Sequence, residues 1–224
     1  MKSLGHRKKI LGAIRELSSR RNVKRAIPED MQVLVVSLPS VLAVPLREYL
    51  EETHAIMRLH RMCDALEILT RFVTLAGWAD LMETTGNRPP RKLLEAFASR
   101  ILRPTFGMWA NMLRTLARQA PDSDFLPELE SWVLKELDSI LGKGEQEPER
   151  CVIPLRNLLA HGGGITHESG RRLLAGHEPR VLDVWRKAGF LCDVELVQVR
   201  GGRFRVLRGP ADFFEKDIPE SLSG

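Results

Sequence analysis

The chain has 224 residues, a hydrophobic content of 43% and a formal net charge of +5. That much apolar material excludes a disordered chain, and a single tyrosine among few aromatics argues against a β-sandwich. The basic balance favours an anionic partner such as nucleic acid.

Residues 3–20 are the first predicted helix. Ile10, Leu11, Ile14 and Leu17 form an apolar stripe, and Arg7, Lys8, Lys9 and Arg15 lie off it. The run Leu-Gly-His-Arg-Lys-Lys-Ile-Leu-Gly-Ala-Ile-Arg-Glu-Leu over 4–17 closely resembles the closing helix of a sterile alpha motif (SAM) domain. This resemblance implies that the chain is a piece of a longer protein, with further domains outside it. The expected order is therefore a SAM-like terminal helix over 1–21 and a linker over 22–37. The most apolar run, 31–46, is broken by Ser37, Pro39, Ser40 and Pro45, so it reads as buried core and not as a membrane span.

From residue 38 to 190 the pattern predicts an all-α helical bundle. Pro39-Ser40 starts a helix that runs through Tyr49. A long periodic segment follows over 54–82, with Ile56, Leu59, Met62, Cys63, Leu66, Leu69, Val73 and Ala76 at helical spacing. Gly86-Asn87-Arg88-Pro89-Pro90 ends it. Further helices are expected over 92–102, 106–120, 126–141 and 149–161. Two short ones, over 167–175 and 179–188, are expected on either side of Gly176-His177-Glu178. Past Asp193 the period changes to two. Residues 194–200, Gly201-Gly202 and 203–208 predict a small C-terminal β-hairpin over 191–210. In its register Val197 and Val199 face Val206 and Phe204 and pack on the helices. Arg200, Arg203 and Arg205 share the other face. Like charges set opposite one another are destabilising, so this cluster calls for an anion. RNA phosphate is one candidate and an acidic patch on the same protein or a neighbouring domain another; a soluble hairpin tip with splayed arginines is the plain alternative. Residues 211–224 read as a poorly ordered tail or a link to a missing domain.

Cys63, Cys151 and Cys192 are odd in number and widely spaced, which argues against a disulfide framework and a zinc cluster and for a reducing, cytoplasmic setting. The histidines form no His-x-x-x-His pattern, so neither a metal nor any other cofactor is expected. The N-terminus is polar and basic, without the apolar core of a signal peptide.

The chemistry concentrates in Arg156-Asn157-Leu158-Leu159-Ala160-His161, which Gly162-Gly163-Gly164 follows. At about 100° per residue, Leu155, Leu158 and Leu159 fall on one helix face and Arg156, Asn157 and His161 on the other. Ile153 and Ala160 supply an apolar seam between the polar margins, which suits a homodimer contact. Histidine titrates near neutral pH and moves protons. Arginine keeps its charge and grips phosphate oxygens through a planar fork. The three glycines offer a backbone nest for phosphate, or a plain flexible connection. Asp64 and Glu67 on the long helix are further carboxylates within this region's reach; solvated or paired surface charges are their commoner meaning.

Arg-x-x-x-x-His closing a helix, with a polar residue after the arginine, resembles the signature of the HEPN superfamily of all-helical domains. The resemblance implies a HEPN-like bundle that dimerises so that two motifs share a cleft. It implies a metal-independent endoribonuclease in which His161 moves protons, Arg156 stabilises the scissile phosphate and Asn157 orients the pair. RNA is the implied partner, and bacterial modules of this kind serve as toxins or antiviral effectors. Beside it stand two other readings of the residues. One is a non-enzymatic dimerisation or sensor module, and the other a basic nucleic-acid-binding domain. His161 would then simply favour the negative end of its helix.

Overall fold

The computed structural model describes residues 25–98, 105–119, 126–142, 147–161, 164–200, 203–210 and 213–217. The SAM-like stretch lies outside the described residues. The described chain is mostly helical and ends in a small antiparallel sheet.

Helix α1, Glu29–Ser37, occupies most of the segment expected as a linker. Pro28 stands at its N-cap, and Glu29 and Asp30 put negative charge in its first turn. Met31, Leu34 and Val35, at helical spacing, are buried in the main core. The domain therefore begins earlier than residue 38, because three apolar residues suffice to dock so short a helix. Leu38 is extended, as a residue before proline prefers to be. Helix α2 then runs Ser40–Glu51.

Helix α3, Ala55–Thr84, is the spine of the fold. Its 30 residues span about 45 Å at 1.5 Å per residue. Leu59, Met62, Cys63, Leu66, Leu69 and Val73 lie along its buried side. Thr70 and Thr74 are fully buried, and each hydroxyl donates to the carbonyl one turn back, at 2.7 and 2.6 Å. Helices α4 (Arg91–Ala98) and α5 (Phe106–Gln119) follow. Helix α6 covers 129–141 and is π-helical over Val133–Leu137. At Gly77 of α3 side chains of both α5 and α6 come close. A Cβ there would sit 2.8 Å from both Leu116 Cδ2 and Leu129 Cδ2. Arg114 of α5 is buried and donates to Asp138, to Asn111 Oδ1 at 2.9 Å and to the Gly142 carbonyl at 2.8 Å.

Helix α7, Val152–Ala160, and helix α8, His167–Lys187, complete the body. Both pack on α3. Helix α8 is continuous where two short helices were expected. Its middle is held by contacts that Gly176-His177-Glu178-Pro179 do not reveal as a string. His177 is buried, with Nε2 2.7 Å from the Pro148 carbonyl. The Glu178 carboxylate accepts from Arg58, from Arg25 at 2.8 Å and from the Tyr49 hydroxyl at 3.4 Å. These bonds outweigh the loss of one helical N–H at Pro179.

After a 3₁₀ turn, Gly189–Asp193, come strands β1 (Val197–Arg200), β2 (Arg203–Leu207) and β3 (Phe213–Asp217). The sheet order is β1-β2-β3. Val197 pairs with Val206 and Val199 with Phe204, the expected register. The third strand falls where a tail was expected. Packing on the helices is limited to the base: Val206 is buried, whereas Val199 is 70% exposed. At that base Arg208 Nη1 donates to the carbonyls of Ser37 and Cys192, and the Gly209 N–H donates to the Leu38 carbonyl. Gly209 has φ +70°, and a Cβ there would stand 3.3 Å from the Val36 carbonyl oxygen, so glycine fits the site twice over. Among the described residues no helix is long and apolar enough to cross a membrane, and no three-ligand metal cluster occurs.

Candidate functional site on the seventh helix

Helix α7 starts after Cys151, whose backbone is extended, and carries Pro154 within its first turn, where a missing N–H costs little. Val152, Ile153, Pro154 and Leu155 are buried and anchor it to the body. The second half of the helix rises out of the core. Leu158 and Leu159 are half-buried, whereas Arg156, Asn157, Ala160 and His161 are exposed.

The helix ends at Ala160, so His161 is its C-cap, with φ −88° and ψ 10°. The His161 N–H still donates to the Asn157 carbonyl at 3.0 Å, which stacks the two residues one turn apart. Arg156, Asn157 and His161 are thus all exposed on the last turns of the helix. The expected apolar seam is not continuous. Ile153 belongs to the core, only 5% exposed, and Ala160 is left with the half-buried leucines beside it. The period was right, but the helix sinks at its N-terminal end. Gly162 and Gly163 of the suggested nest lie outside the described residues. Gly164 has φ +49° and open space where a Cβ would stand.

Helix α3 supplies what the motif alone did not contain. Arg156 Nε lies 3.7 Å from Glu67 Oε2, and the other oxygen of Glu67 accepts from Arg71. The Glu67 side chain is 12% exposed, and those of Arg71 and Arg156 are each 44% exposed. The Arg71 guanidinium lies 5.9 Å from the centre of the Trp109 ring. Asp64, one turn before Glu67, is exposed. Beneath them Cys63 is buried. Burial first, then the Asp64 charge, pushes its thiol well above the usual range, against the pull of Arg156. The signal for Glu67 was its four-residue spacing to Arg71, which many surface helices share.

The hairpin arginines are elsewhere in the fold. Arg200 and Arg203 are paired across β1 and β2, as the sequence predicted. The register with β3 adds Asp217 opposite Arg203 and Glu215 opposite Arg205. Acidic residues of the same chain thus occupy the positions across from two of the three arginines.

The chain matches no protein-family model, and neither curated proteins nor solved structures give a match.

Proposed function

We propose that the helical body is a HEPN-like, metal-independent endoribonuclease with Arg156, Asn157 and His161 as its site. One observation carries the reading: Arg156, Asn157 and His161 are all exposed on the last turns of α7, with a backbone hydrogen bond keeping His161 one turn from Asn157. In this reading the neutral His161 imidazole takes the proton of an RNA 2′-hydroxyl. The 2′-oxygen attacks phosphorus, the bond to the 5′-oxygen breaks, and the imidazolium protonates the departing 5′-oxygen. Arg156 neutralises charge on the phosphorane-like transition state through its planar fork. Asn157 holds the pair in line. The products are a 2′,3′-cyclic phosphate and a 5′-hydroxyl. Two copies of the chain face each other across the exposed end of α7, where Leu158 and Ala160 supply the apolar contact.

The deciding experiment is incubation of single-stranded RNA with the protein in EDTA, with analysis of the ends. Cyclic phosphate ends, lost on His161→Ala, support the reading. Cleavage of an all-2′-deoxy strand, or loss of activity in chelator, refutes the mechanism. A second reading, a dimerisation or sensor module, draws on the exposed Val33, Val36, Val41 and Val44 of α1 and α2. A stable dimer that leaves RNA intact supports it.

A further inference from the structure

We infer that two residues of α3 complete the patch on α7. Glu67 is a positioning residue that holds Arg156, and Arg71 is a second guanidinium that grips the phosphate backbone of a single strand. The inference rests on the ribonuclease reading for its catalytic half, and on the charge cluster itself for its binding half.

An ordinary Glu–Arg pair four residues apart on a helix is a solvated surface contact of little consequence. The Glu67 cluster differs in two respects. Its carboxylate is nearly out of water at 12% exposure, while both arginines it holds stand 44% exposed. The acceptor is thus a fixed post and the donors are the parts that face outward. Moreover, one of the two arginines comes from a different helix, so the carboxylate ties α3 to the motif.

The atoms involved matter. Arg156 faces Glu67 with Nε, at 3.7 Å. A guanidinium held at that edge keeps its two terminal nitrogens for a phosphate. Arg71 meets the carboxylate with one terminal nitrogen and lies over the Trp109 ring, which restricts its plane. One carboxylate against two guanidiniums leaves an excess positive charge. Asp64, one turn before Glu67, is exposed and, among the described residues, forms no ion pair with either arginine. The two arginines stand side by side on opposite oxygens of one carboxylate, an arrangement suited to neighbouring phosphates of one RNA strand. On this inference a strand held by Arg71 and Arg156 continues toward His161, the C-cap of the same helix as Arg156.

The test uses the full chain with two assays. Cleavage of a labelled single-stranded RNA in EDTA gives kcat and KM. Binding of the same sequence with 2′-O-methyl riboses, which cannot be cut, is followed across a salt series. Arg71→Ala should raise KM and Kd roughly tenfold, as loss of a charge-assisted hydrogen bond implies. It should also flatten the log–log salt slope by about 0.7, one phosphate of a single strand. Its kcat should hold within about twofold. Glu67→Gln should lower kcat roughly tenfold or more with Kd unchanged or tighter, because it frees Arg156 while removing a negative charge. A merely structural ion pair would shift thermal stability and leave that split unseen.

In a protein that cleaves RNA, an unchanged kcat in Glu67→Gln, or an unchanged KM and salt slope in Arg71→Ala, overturns the inference and leaves the ribonuclease reading intact. If the wild type leaves RNA whole, that reading fails, and binding alone decides the rest. The effects of Arg156→Ala and Glu67→Gln on affinity should then be non-additive, since the two side chains form one pair. Additive effects, or an unchanged slope in Arg71→Ala, overturn the inference in that case too.

Discussion

Two carboxylates in this protein each hold two arginines, and they show how solvent decides what such a cluster does. Glu178 of α8 binds Arg58 and Arg25 and also accepts from Tyr49. Arg58 is 5% exposed, lies 5.1 Å over the Tyr49 ring, and has a buried Nε without a hydrogen-bond partner. Burial, reinforced by the Glu178 charge, pushes the Tyr49 phenol far above its usual range. Those charges are committed to one another and to the join between α2, α3 and α8. The Glu67 side chain is no wetter than that of Glu178, at 12% against 18% exposed, but those of both arginines it holds, Arg71 and Arg156, stand 44% exposed, whereas that of Arg58 is 6% exposed. A cluster with a buried arginine is committed to the fold; one whose two arginines both face water keeps its outer donors in solvent.

The contrast can be broken most sharply at the motif. His161→Ala should lower RNA cleavage on the order of 10²–10⁴-fold, the usual loss for a general acid–base. The melting temperature should stay within about 2 °C, since a surface change is worth little stability. Arg156→Lys should recover only part of the activity lost in Arg156→Ala, because an ammonium lacks the planar fork. A large stability loss in either variant would move this site into the same class as Glu178.

The reverse result is expected at Arg58. Arg58→Ala removes one partner of a buried pair and should cost about 3–5 kcal/mol in urea unfolding. Cleavage per folded molecule should be unchanged. If Arg58→Ala is neutral in stability, the Glu178 cluster is not the brace described above.

A smaller effect is expected from pH. Burial lowers the affinity of His177 for a proton, only partly offset by its bond to the Pro148 carbonyl. The unfolded chain, with an ordinary histidine, then binds more protons near and below about pH 6.5, so acid favours unfolding. Stability should fall as pH drops from 7.5 to 5.5, and His177→Gln should flatten that part of the profile. An unaltered profile would mean that His177 does not carry it.

The smallest effect is expected at the sheet. Replacing Arg200, Arg203 and Arg205 together by Ala should flatten the salt slope of RNA binding by no more than about one phosphate contact, or 0.7. Two of the three stand across from the acidic positions Asp217 and Glu215. A loss near three contacts would restore the hairpin as the main RNA surface.

Much of the fold was legible because it is written in local periods. The stripe from Ile56 to Ala76 marks α3, and the alternation around Gly201-Gly202 gives the register of β1 with β2. What failed was set by contacts distant in sequence. Nothing within Gly176-His177-Glu178-Pro179 announces that Arg58 and the Pro148 carbonyl hold the helix together there. Ile153 was assigned to an exposed seam because periodicity gives a direction around the helix axis but not the depth to which each end sinks. The exposed placement of Arg156, Asn157 and His161 followed from the same period. Glu67 and Arg71 could not be singled out, since only the crossing of α3 and α7 makes them neighbours of the motif.

The anchor beneath the sheet has a kinetic consequence. Arg208 reaches the Ser37 carbonyl across 171 residues of sequence, and Gly209 reaches Leu38 beside it. Closing so long a loop carries a large entropy cost, which such contacts recover only once the intervening helices have docked. The join between α1 and β2 is therefore among the last contacts made in folding and among the first lost in unfolding. In hydrogen exchange the Gly209 amide, bonded to the Leu38 carbonyl, should open at a lower free energy than the amides in the middle of α3.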